Sequence, residues 1–163
     1  MAEILTGKRW HTREDSGLLL DRRLRWWHDG EAFEHPKLIE LFNVSLTLTD
    51  DGRYVVRIGN DWAYVVVEDA AFEVRTVDVS DGDRLSVRLS DRTAELLDVQ
   101  SLAVDEEGVL TCRVKGGRVK ARFSRDAQFQ LGAHLEAGGE GAVLAVGARR
   151  EPLPDELAAS LVG

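Results

Sequence analysis

Residues 46–58 read Leu46-Thr47-Leu48-Thr49-Asp50-Asp51-Gly52-Arg53-Tyr54-Val55-Val56-Arg57-Ile58, and residues 102–114 read Leu102-Ala103-Val104-Asp105-Glu106-Glu107-Gly108-Val109-Leu110-Thr111-Cys112-Arg113-Val114. In both stretches apolar and polar residues alternate on either side of an acidic turn that ends in glycine, a pattern typical of a β-hairpin. The two stretches are 56 residues apart. After one extra residue in the Gly116-Gly117 turn, the similarity continues from Asp69-Ala70-Ala71-Phe72 to Asp126-Ala127-Gln128-Phe129. We infer that the chain contains two related units.

Similar alternation recurs from Val44 to a last run at Phe129-Leu131, with turn signals between the runs. It predicts a mainly β (α+β) fold of two related antiparallel β units, each with a short helix followed by about five strands. The helices are predicted at Pro36–Phe42 and Thr93–Leu97, and a final one at Pro154–Leu161. The predicted divisions are an N-terminal segment, 1–17, a first unit, 18–90, and a second unit, 91–163, that includes the final helix.

The composition is that of a folded protein, with 163 residues, 44% of them hydrophobic, 31% charged and only three prolines. No apolar stretch has the length of a signal peptide core or a membrane span, so we expect a cytoplasmic protein without a transmembrane segment. The single cysteine, Cys112, excludes an internal disulfide. Because it occupies an apolar position in a strand-like run, we expect it to be a small buried side chain.

The charge is unevenly distributed. A formal net charge of −8 argues against a dedicated nucleic-acid binder. However, the stretch from Val109 to Arg125 contains no acidic residue and six basic ones, Arg113, Lys115, Arg118, Lys120, Arg122 and Arg125. If Gly116-Gly117 forms a tight turn, alternation places the cations on one face of the hairpin. The opposite, inward face then consists of Leu110, Cys112, Val114, Val119, Ala121 and Phe123.

Like charges that lie opposite each other across strands are destabilising, so this basic face requires a counter-charge. One alternative is an acidic group of the same protein, for example in Asp105-Glu106-Glu107 or in the first unit. The other is a phosphate-bearing ligand or an acidic partner surface, for which arginine guanidinium groups are well suited. The sequence leaves both alternatives open.

Two tryptophans are candidates for stacking on a ligand. Trp27 adjoins Trp26 in a strand-like run, where neighbours face opposite ways, so that one ring is expected in the core and the other outside it. Trp62 adjoins the turn at Asn60-Asp61. The alternative for both is hydrophobic closure of the sheet.

Signals for catalysis are lacking. The four histidines show no spacing typical of a metal site, and neither a nucleophile elbow nor a phosphate-binding glycine loop is present. We therefore expect no metal and no cofactor, and we favour recognition over turnover, with the question of an enzyme left open.

Four motifs resemble one bacterial family, the domain-of-unknown-function family twelve eighty-five. They are Trp26-Trp27-His28-Asp29-Gly30-Glu31-Ala32-Phe33, Pro36-Lys37-Leu38-Ile39-Glu40-Leu41-Phe42, Val67-Glu68-Asp69-Ala70-Ala71-Phe72, and Val114-Lys115-Gly116-Gly117 followed by Ser124-Arg125. The resemblance extends from about residue 18 to 153. It departs from the family at Ala32 and Ala71, where proline is expected, which indicates a distant member.

The resemblance implies a duplicated, mostly antiparallel structure whose second half is similar to pleckstrin-homology-like folds. It also implies a ligand, with a nucleotide among the candidates, at the interface of the halves, and a role in signalling.

Together these observations predict a non-catalytic protein that recognises an anionic small molecule. The residues expected to hold its phosphate groups are Arg113, Lys115, Lys120 and Arg122, with Trp27 or Trp62 stacking on an aromatic group. The alternative is a protein-interaction module that docks an acidic partner through its second unit.

Overall fold

The structure, a computed structural model, describes residues 13–139 and 141–162, and only the backbone of residues 161 and 162. The chain forms two compact units, divided between Ala71 and Phe72. The predicted N-terminal segment, 1–17, lies mostly outside the described residues.

Unit 1 contains one six-stranded sheet. Its strands are β1 (Leu18–Leu20), β2 (Trp26–His28), β3 (Glu31–Ala32), β4 (Leu46–Leu48), β5 (Tyr54–Ile58) and β6 (Asp61–Val67). Helix α1 (Pro36–Ser45) connects β3 to β4. It begins at a proline, which suits the first helical position, and the His35 side chain accepts a hydrogen bond from the Lys37 N–H. The strand order is β3-β2-β1-β6-β5-β4, and only the central pair, β1 with β6, is parallel.

Unit 2 contains a second six-stranded sheet. Its strands are β7 (Phe72–Ser80), β8 (Arg84–Leu89), β9 (Ala94–Leu96), β10 (Ala103–Val104), β11 (Leu110–Val114) and β12 (Val119–Phe123). A short 3-10 helix (Val99–Ser101) connects β9 to β10. The order is β10-β11-β12-β7-β8-β9, and again only the central pair, β12 with β7, is parallel.

The two sheets therefore share one topology. Each has three strands, a helical segment and three further strands, and the parallel pairing of the first strand with the sixth joins the two halves at the centre of the sheet. This agrees with the prediction of a mainly β protein built from two related units. Both predicted hairpins are present: Arg57 pairs with Trp62 in the first, and Arg113 pairs with Lys120 in the second, so that these two cations share a face as expected. The turn of the second hairpin is longer than predicted. It runs from Lys115 to Arg118 instead of consisting of Gly116-Gly117 alone, whereas the turn of the first hairpin is Gly59-Asn60.

The observed division of the chain differs from the one near Ser90-Asp91-Arg92 that the sequence suggested. Strands β7 and β8 lie in the same sheet as β11 and β12, because β7 pairs in parallel with β12. A parallel pair joins segments that are distant in sequence, so no local turn signal marks it. Each unit consequently has three strands before its helical segment instead of beginning with the helix.

Two predicted elements have a different secondary structure. Phe129-Leu131, expected as a strand, lies in helix α2 (Arg125–Gly132), and the helix expected at Thr93–Leu97 is replaced by strand β9. The final helix is present as α3 (Asp155–Val162). It packs on a third sheet that the alternation did not reveal, formed by β13 (Leu135–Gly138), β14 (Gly141–Val146) and β15 (Arg149–Pro152).

The sequence similarity between Asp69-Ala70-Ala71-Phe72 and Asp126-Ala127-Gln128-Phe129 does not correspond to a similarity of structure, because the second stretch lies in α2. Phe72 is buried at the start of β7, whereas Phe129 is 82% exposed on α2. Asp69 and Asp126, which the alignment paired, thus lie in a bend and in a helix, respectively. Among the described residues no helix is long and apolar enough to cross a lipid bilayer.

Large apolar side chains fill the core of unit 1. Phe42 of α1 is fully buried and makes edge contacts with the rings of Trp26, at 5.4 Å, and Phe33, at 4.9 Å between centroids. The indole N–H of Trp26 donates to Asn43 Oδ1 at 2.8 Å, so that its one polar group is satisfied. In unit 2 the predicted inward face of the hairpin is buried, and Cys112 with it. Burial raises the pKa of the Cys112 thiol to about 12.

We expect Phe42→Ala to lower the free energy of unfolding by about 3–5 kcal/mol, because the cavity it leaves is lined by rings that cannot collapse into it. Phe129→Ala, the same change on an exposed side chain, should alter it by less than about 0.5 kcal/mol. Urea denaturation of both variants measures this, and an equal loss for the two would contradict the assigned burial.

Candidate functional site

A cavity of about 920 Å³ lies in unit 2. Four elements surround it: the turn before β11, the end of β12, the start of β7 and helix α2. Its lining residues are Glu73, Gly108, Val109, Arg122, Phe123, Ser124, Arg125, Gln128, Phe129, Gly132 and Ala133. We take this cavity as the candidate site, because it combines cations, a carboxylate and an exposed ring within one concave surface.

Arg122 is held in the site by two acidic side chains. Its side chain is only 15% exposed and forms ion pairs with Asp105, at 3.3 Å, and Glu107, at 3.7 Å. Asp105 is itself fixed, since its Oδ1 accepts the N–H groups of Glu107 and Val109 at 2.8 and 2.9 Å. Desolvation tends to raise the pKa of Asp105, but these backbone donors and the charges of Arg122 and Lys120 outweigh it and lower the pKa. Arg122 is therefore held in place by an ionised carboxylate.

Glu73 brings a negative charge into the same site. The parallel pairing of β7 with β12 sets Glu73 opposite Arg122, so both side chains leave the same face of the sheet. Burial raises the pKa of the Glu73 carboxyl, and the charges of Arg75 and Arg122 only partly oppose this effect. A half-buried carboxyl with a raised pKa in a cavity is a common property of functional sites.

Helix α2 contributes the remaining side chains. Ser124 caps it by accepting the Ala127 N–H at 3.1 Å, so that the helix begins immediately after β12. Gln128 ties it to the turn before β11: its Oε1 accepts the Leu110 N–H at 3.1 Å, and its Nε2 donates to the Gly108 carbonyl at 3.3 Å. The helix is thereby anchored at two places.

Arg125 and Phe129 of α2 are both exposed at the cavity. In the part of the chain that the structure describes, no ion pair or hydrogen bond occupies the guanidinium of Arg125. The Phe129 ring, at 82% exposure, packs on little of the protein. These two side chains are accordingly available to a ligand.

The four cations predicted to bind phosphate are distributed over the hairpin, and only Arg122 lines the cavity. Arg113 is exposed on β11 and lies opposite Lys120 of β12. Lys115 is the first residue of the turn, with φ +55°, and its ammonium donates to Asp91 Oδ2 and Thr93 Oγ1, both at 2.7 Å. Acidic residues of the same protein thus supply counter-charges for Arg122 and Lys115, which is one of the two alternatives for neutralising the basic face.

The acid that pairs with Lys115 has a shifted pKa. Burial tends to raise the pKa of Asp91, but hydrogen bonds from Lys115 and Thr93, with the charge of Lys115, lower it. Lys115 is therefore engaged in holding the hairpin turn against the loop between β8 and β9.

Trp27 and Trp62 both belong to unit 1 and are half-buried. The indole N–H of Trp27 donates to Asp21 Oδ2 at 2.9 Å, and Arg25 lies over its ring at 5.5 Å. Trp62 contacts Tyr64 edge-on at 5.2 Å and Arg13 at 4.7 Å. Both rings have partners within the protein, and ligand stacking on them stays a prediction.

Sequence reasoning did not place Glu73, Ser124, Arg125 and Phe129 in the site. Arg125 was recognised as one of the six basic residues. However, Phe129-Leu131 was predicted as a strand, so the helix that places Arg125 and Phe129 at the cavity was not expected. The available signal was Ser124 followed by Arg125 and Asp126, a typical N-cap and first turn.

The arrangement is suited to binding. Two guanidinium groups can form paired hydrogen bonds with an oxyanion. The Ser124 hydroxyl is used in the fold, as it donates to the Arg75 carbonyl at 3.3 Å in addition to capping α2. Within residues 13–139 and 141–162, no three His, Cys, Asp or Glu side chains are grouped so that they could hold a metal ion.

Solved structures share this fold. A crystal structure of a DUF1285 family protein from Silicibacter pomeroyi DSS-3 matches with a TM-score of 0.62 and 18% identity, covering 85% of this chain and 79% of that chain. One from Shewanella baltica OS155 matches with a TM-score of 0.53 and 18% identity, covering 72% of this chain and 91% of that chain. No family model and no curated protein matches the chain. The predicted resemblance to this family is confirmed at the level of the fold.

The raised pKa of Glu73 makes stability depend on pH. At a pH where Glu73 is ionised in both the folded and the unfolded protein, the desolvation of its carboxylate lowers the stability of the folded state. This loss of stability disappears as the pH falls through the pKa of the folded state towards that of the unfolded state. We therefore expect Glu73→Gln to be more stable than the wild type at pH 7, by a margin that shrinks as the pH falls towards the ordinary range of a glutamate carboxyl. Urea denaturation across this range measures it. Glu31→Gln, which removes an exposed carboxylate from β3, serves as the control for the loss of one charge; a constant margin for Glu73→Gln would contradict the account.

Proposed function

We propose that unit 2 binds a small phosphate-bearing molecule in the cavity between β12 and α2, as a recognition protein without turnover. The observation that carries this proposal is Arg125, an exposed cation without a counter-ion among the described residues, which lines the same cavity as Arg122. A phosphate group has enough acceptor oxygens to engage both guanidinium groups at once.

The two arginines have different parts in the proposal. Asp105 holds Arg122 in place and partly neutralises it, so Arg122 offers a fixed direction more than a full charge. Arg125 supplies the uncompensated charge. It is the first residue of α2, and the N-terminus of a helix carries a partial positive charge that favours an anion. The combination favours a doubly charged group such as phosphate.

Phe129 supports a ligand that also has a flat or apolar part. An aromatic side chain of this size is usually buried, because its exposure to water is unfavourable. A base or another ring placed on Phe129 would remove that surface from water, which keeps a nucleotide among the candidate ligands. The role in signalling rests on the family resemblance alone.

The hairpin cations contribute at longer range in this proposal. Arg113 and Lys120 add positive potential beside the cavity, which accelerates the approach of an anion and weakens with salt. The predicted contacts of Arg113, Lys115 and Lys120 with phosphate, and of Trp27 or Trp62 with an aromatic group, stay predictions.

A second candidate is the docking of an acidic protein partner. Strand β10 is an edge strand of the unit 2 sheet, and both of its residues, Ala103 and Val104, are exposed. An extended acidic segment added to this edge would lie one strand away from β11, where the exposed Arg113 attracts it at longer range. In that case small anions should not stabilise the isolated protein, whereas an acidic peptide should.

We expect pyrophosphate to bind the wild-type protein at physiological salt, and Arg125→Gln to weaken binding by about 1.5–3 kcal/mol, roughly tenfold to 150-fold. Isothermal titration calorimetry measures this. Arg88→Gln is the matched control, because Arg88 is exposed on β8 and does not line the cavity. Equal losses for the two variants would contradict a specific site, as would a wild-type affinity that disappears at physiological salt.

The ring can be tested separately with a nucleoside monophosphate and ribose 5-phosphate. We expect the nucleotide to bind more tightly, by about 1–3 kcal/mol for one stacked base, and Phe129→Ala to remove this difference while leaving the affinity for ribose 5-phosphate unchanged. A nucleotide preference that persists in Phe129→Ala would show that the ring has no part in recognition.

A further inference from the structure

Unit 1 has a cavity at the place that corresponds to the candidate site of unit 2. It measures about 660 Å³ and lies between the segment before β1, the turn before β5 and the end of β6. Its lining residues include Glu14, Asp15, Leu19, Arg53, Tyr64 and Val66. Each repeat therefore has a cavity where its sixth strand ends.

Strand registers give the residue correspondence between the two cavities. Tyr64 lies opposite Val55, and Arg122 lies opposite Thr111, the equivalent of Val55 in the repeat. Tyr64 thus occupies the position of Arg122. Likewise Arg53, which follows Gly52 in the turn, occupies the position of Val109. Both units therefore have the cavity, but its ion-paired arginine is on the sixth strand in unit 2 and in the turn before β5 in unit 1.

Arg53 is positioned by two contacts. Its guanidinium lies over the Tyr64 ring at 3.3 Å from the centroid, and it pairs with Glu14 at 3.2 Å. The Glu14 side chain is 68% exposed, so this ion pair is held in water. Exposed pairs of this kind contribute little to stability, and one carboxylate can be exchanged for another at small cost. Stacking on Tyr64 keeps the guanidinium in the same place during such an exchange.

Part of the cavity lining is aliphatic, whereas the segment before β1 contributes the carboxylates of Glu14 and Asp15. Val66 is 65% exposed and lies opposite Leu19 in the parallel pair of β1 with β6. Both side chains therefore leave the same face of the sheet and line the cavity. Unlike β12, β6 is followed by a bend instead of a helix N-terminus, and among the described residues that line this cavity Arg53 is the one arginine.

From this geometry we infer that unit 1 carries a second ligand site, for a small carboxylate with an aliphatic chain. The ligand carboxylate takes the place of Glu14 on Arg53, and the chain covers Val66 and Leu19. A single guanidinium beside an apolar surface matches one carboxylate and a hydrocarbon tail, whereas the two arginines of unit 2 match phosphate.

The test uses octanoate and the full chain, with binding followed by calorimetry and the Val66 amide by NMR. Arg53→Gln should weaken octanoate binding by about tenfold or more, whereas Glu14→Gln should tighten it, because the competing carboxylate is gone. Octan-1-ol, which has the chain but no carboxylate, should bind at least about tenfold more weakly than octanoate. The opposite response of the two variants is specific to the exchange of carboxylates.

Octanoate binding that is unchanged in Arg53→Gln, or octanol binding of equal strength, would overturn the inference, as would the absence of any octanoate binding to the wild type. Pyrophosphate should bind Arg53→Gln as it binds the wild type. Because the two sites use different residues, failure of one leaves the other testable.

Discussion

The parallel pairing of the first strand with the sixth is the interaction on which each unit depends. Without β1–β6 or β7–β12, each sheet would separate into two three-stranded antiparallel pieces with exposed central edges. In unit 2 the same pairing sets Glu73 beside Arg122. It also brings the first strand beside the end of the sixth strand, and a cavity lies there in both units. The pairing therefore governs both the sheet and the location of the candidate sites.

Local patterns in the sequence predicted the parts of the fold that local interactions determine. The hairpins β5–β6 and β11–β12, helix α1 and the buried face around Cys112 follow from alternation, turn residues and a helix-starting proline. The division of the chain did not, because a parallel pair has no local sequence signal. Phe129 and Leu131 are two residues apart, as in a strand, but Ala127 and Leu131 are four apart, as on one face of a helix. The serine cap at Ser124 decides for the helix.

The positive charge of the candidate site was predictable from the sequence, but the residues that line the site were less so. The sequence showed a dense basic run but not which cations are neutralised, since that depends on acids brought close by folding. The carboxylate of Asp105 accepts hydrogen bonds from backbone N–H groups of its own turn and forms an ion pair with Arg122. Asp91 reaches Lys115 across the sheet edge. These pairs leave Arg125 available, and its exposure at the cavity depends on α2, which the alternation missed.

The most direct test of the central claim, that unit 2 binds an anion where β12 meets α2, is to map the amide shifts of the full chain on adding pyrophosphate. The account predicts that the largest changes in the two-dimensional NMR spectrum cluster at Gly108, Val109, Ser124 and Gln128. Changes centred on the turn from Lys115 to Arg118, or spread evenly over both units, would contradict it.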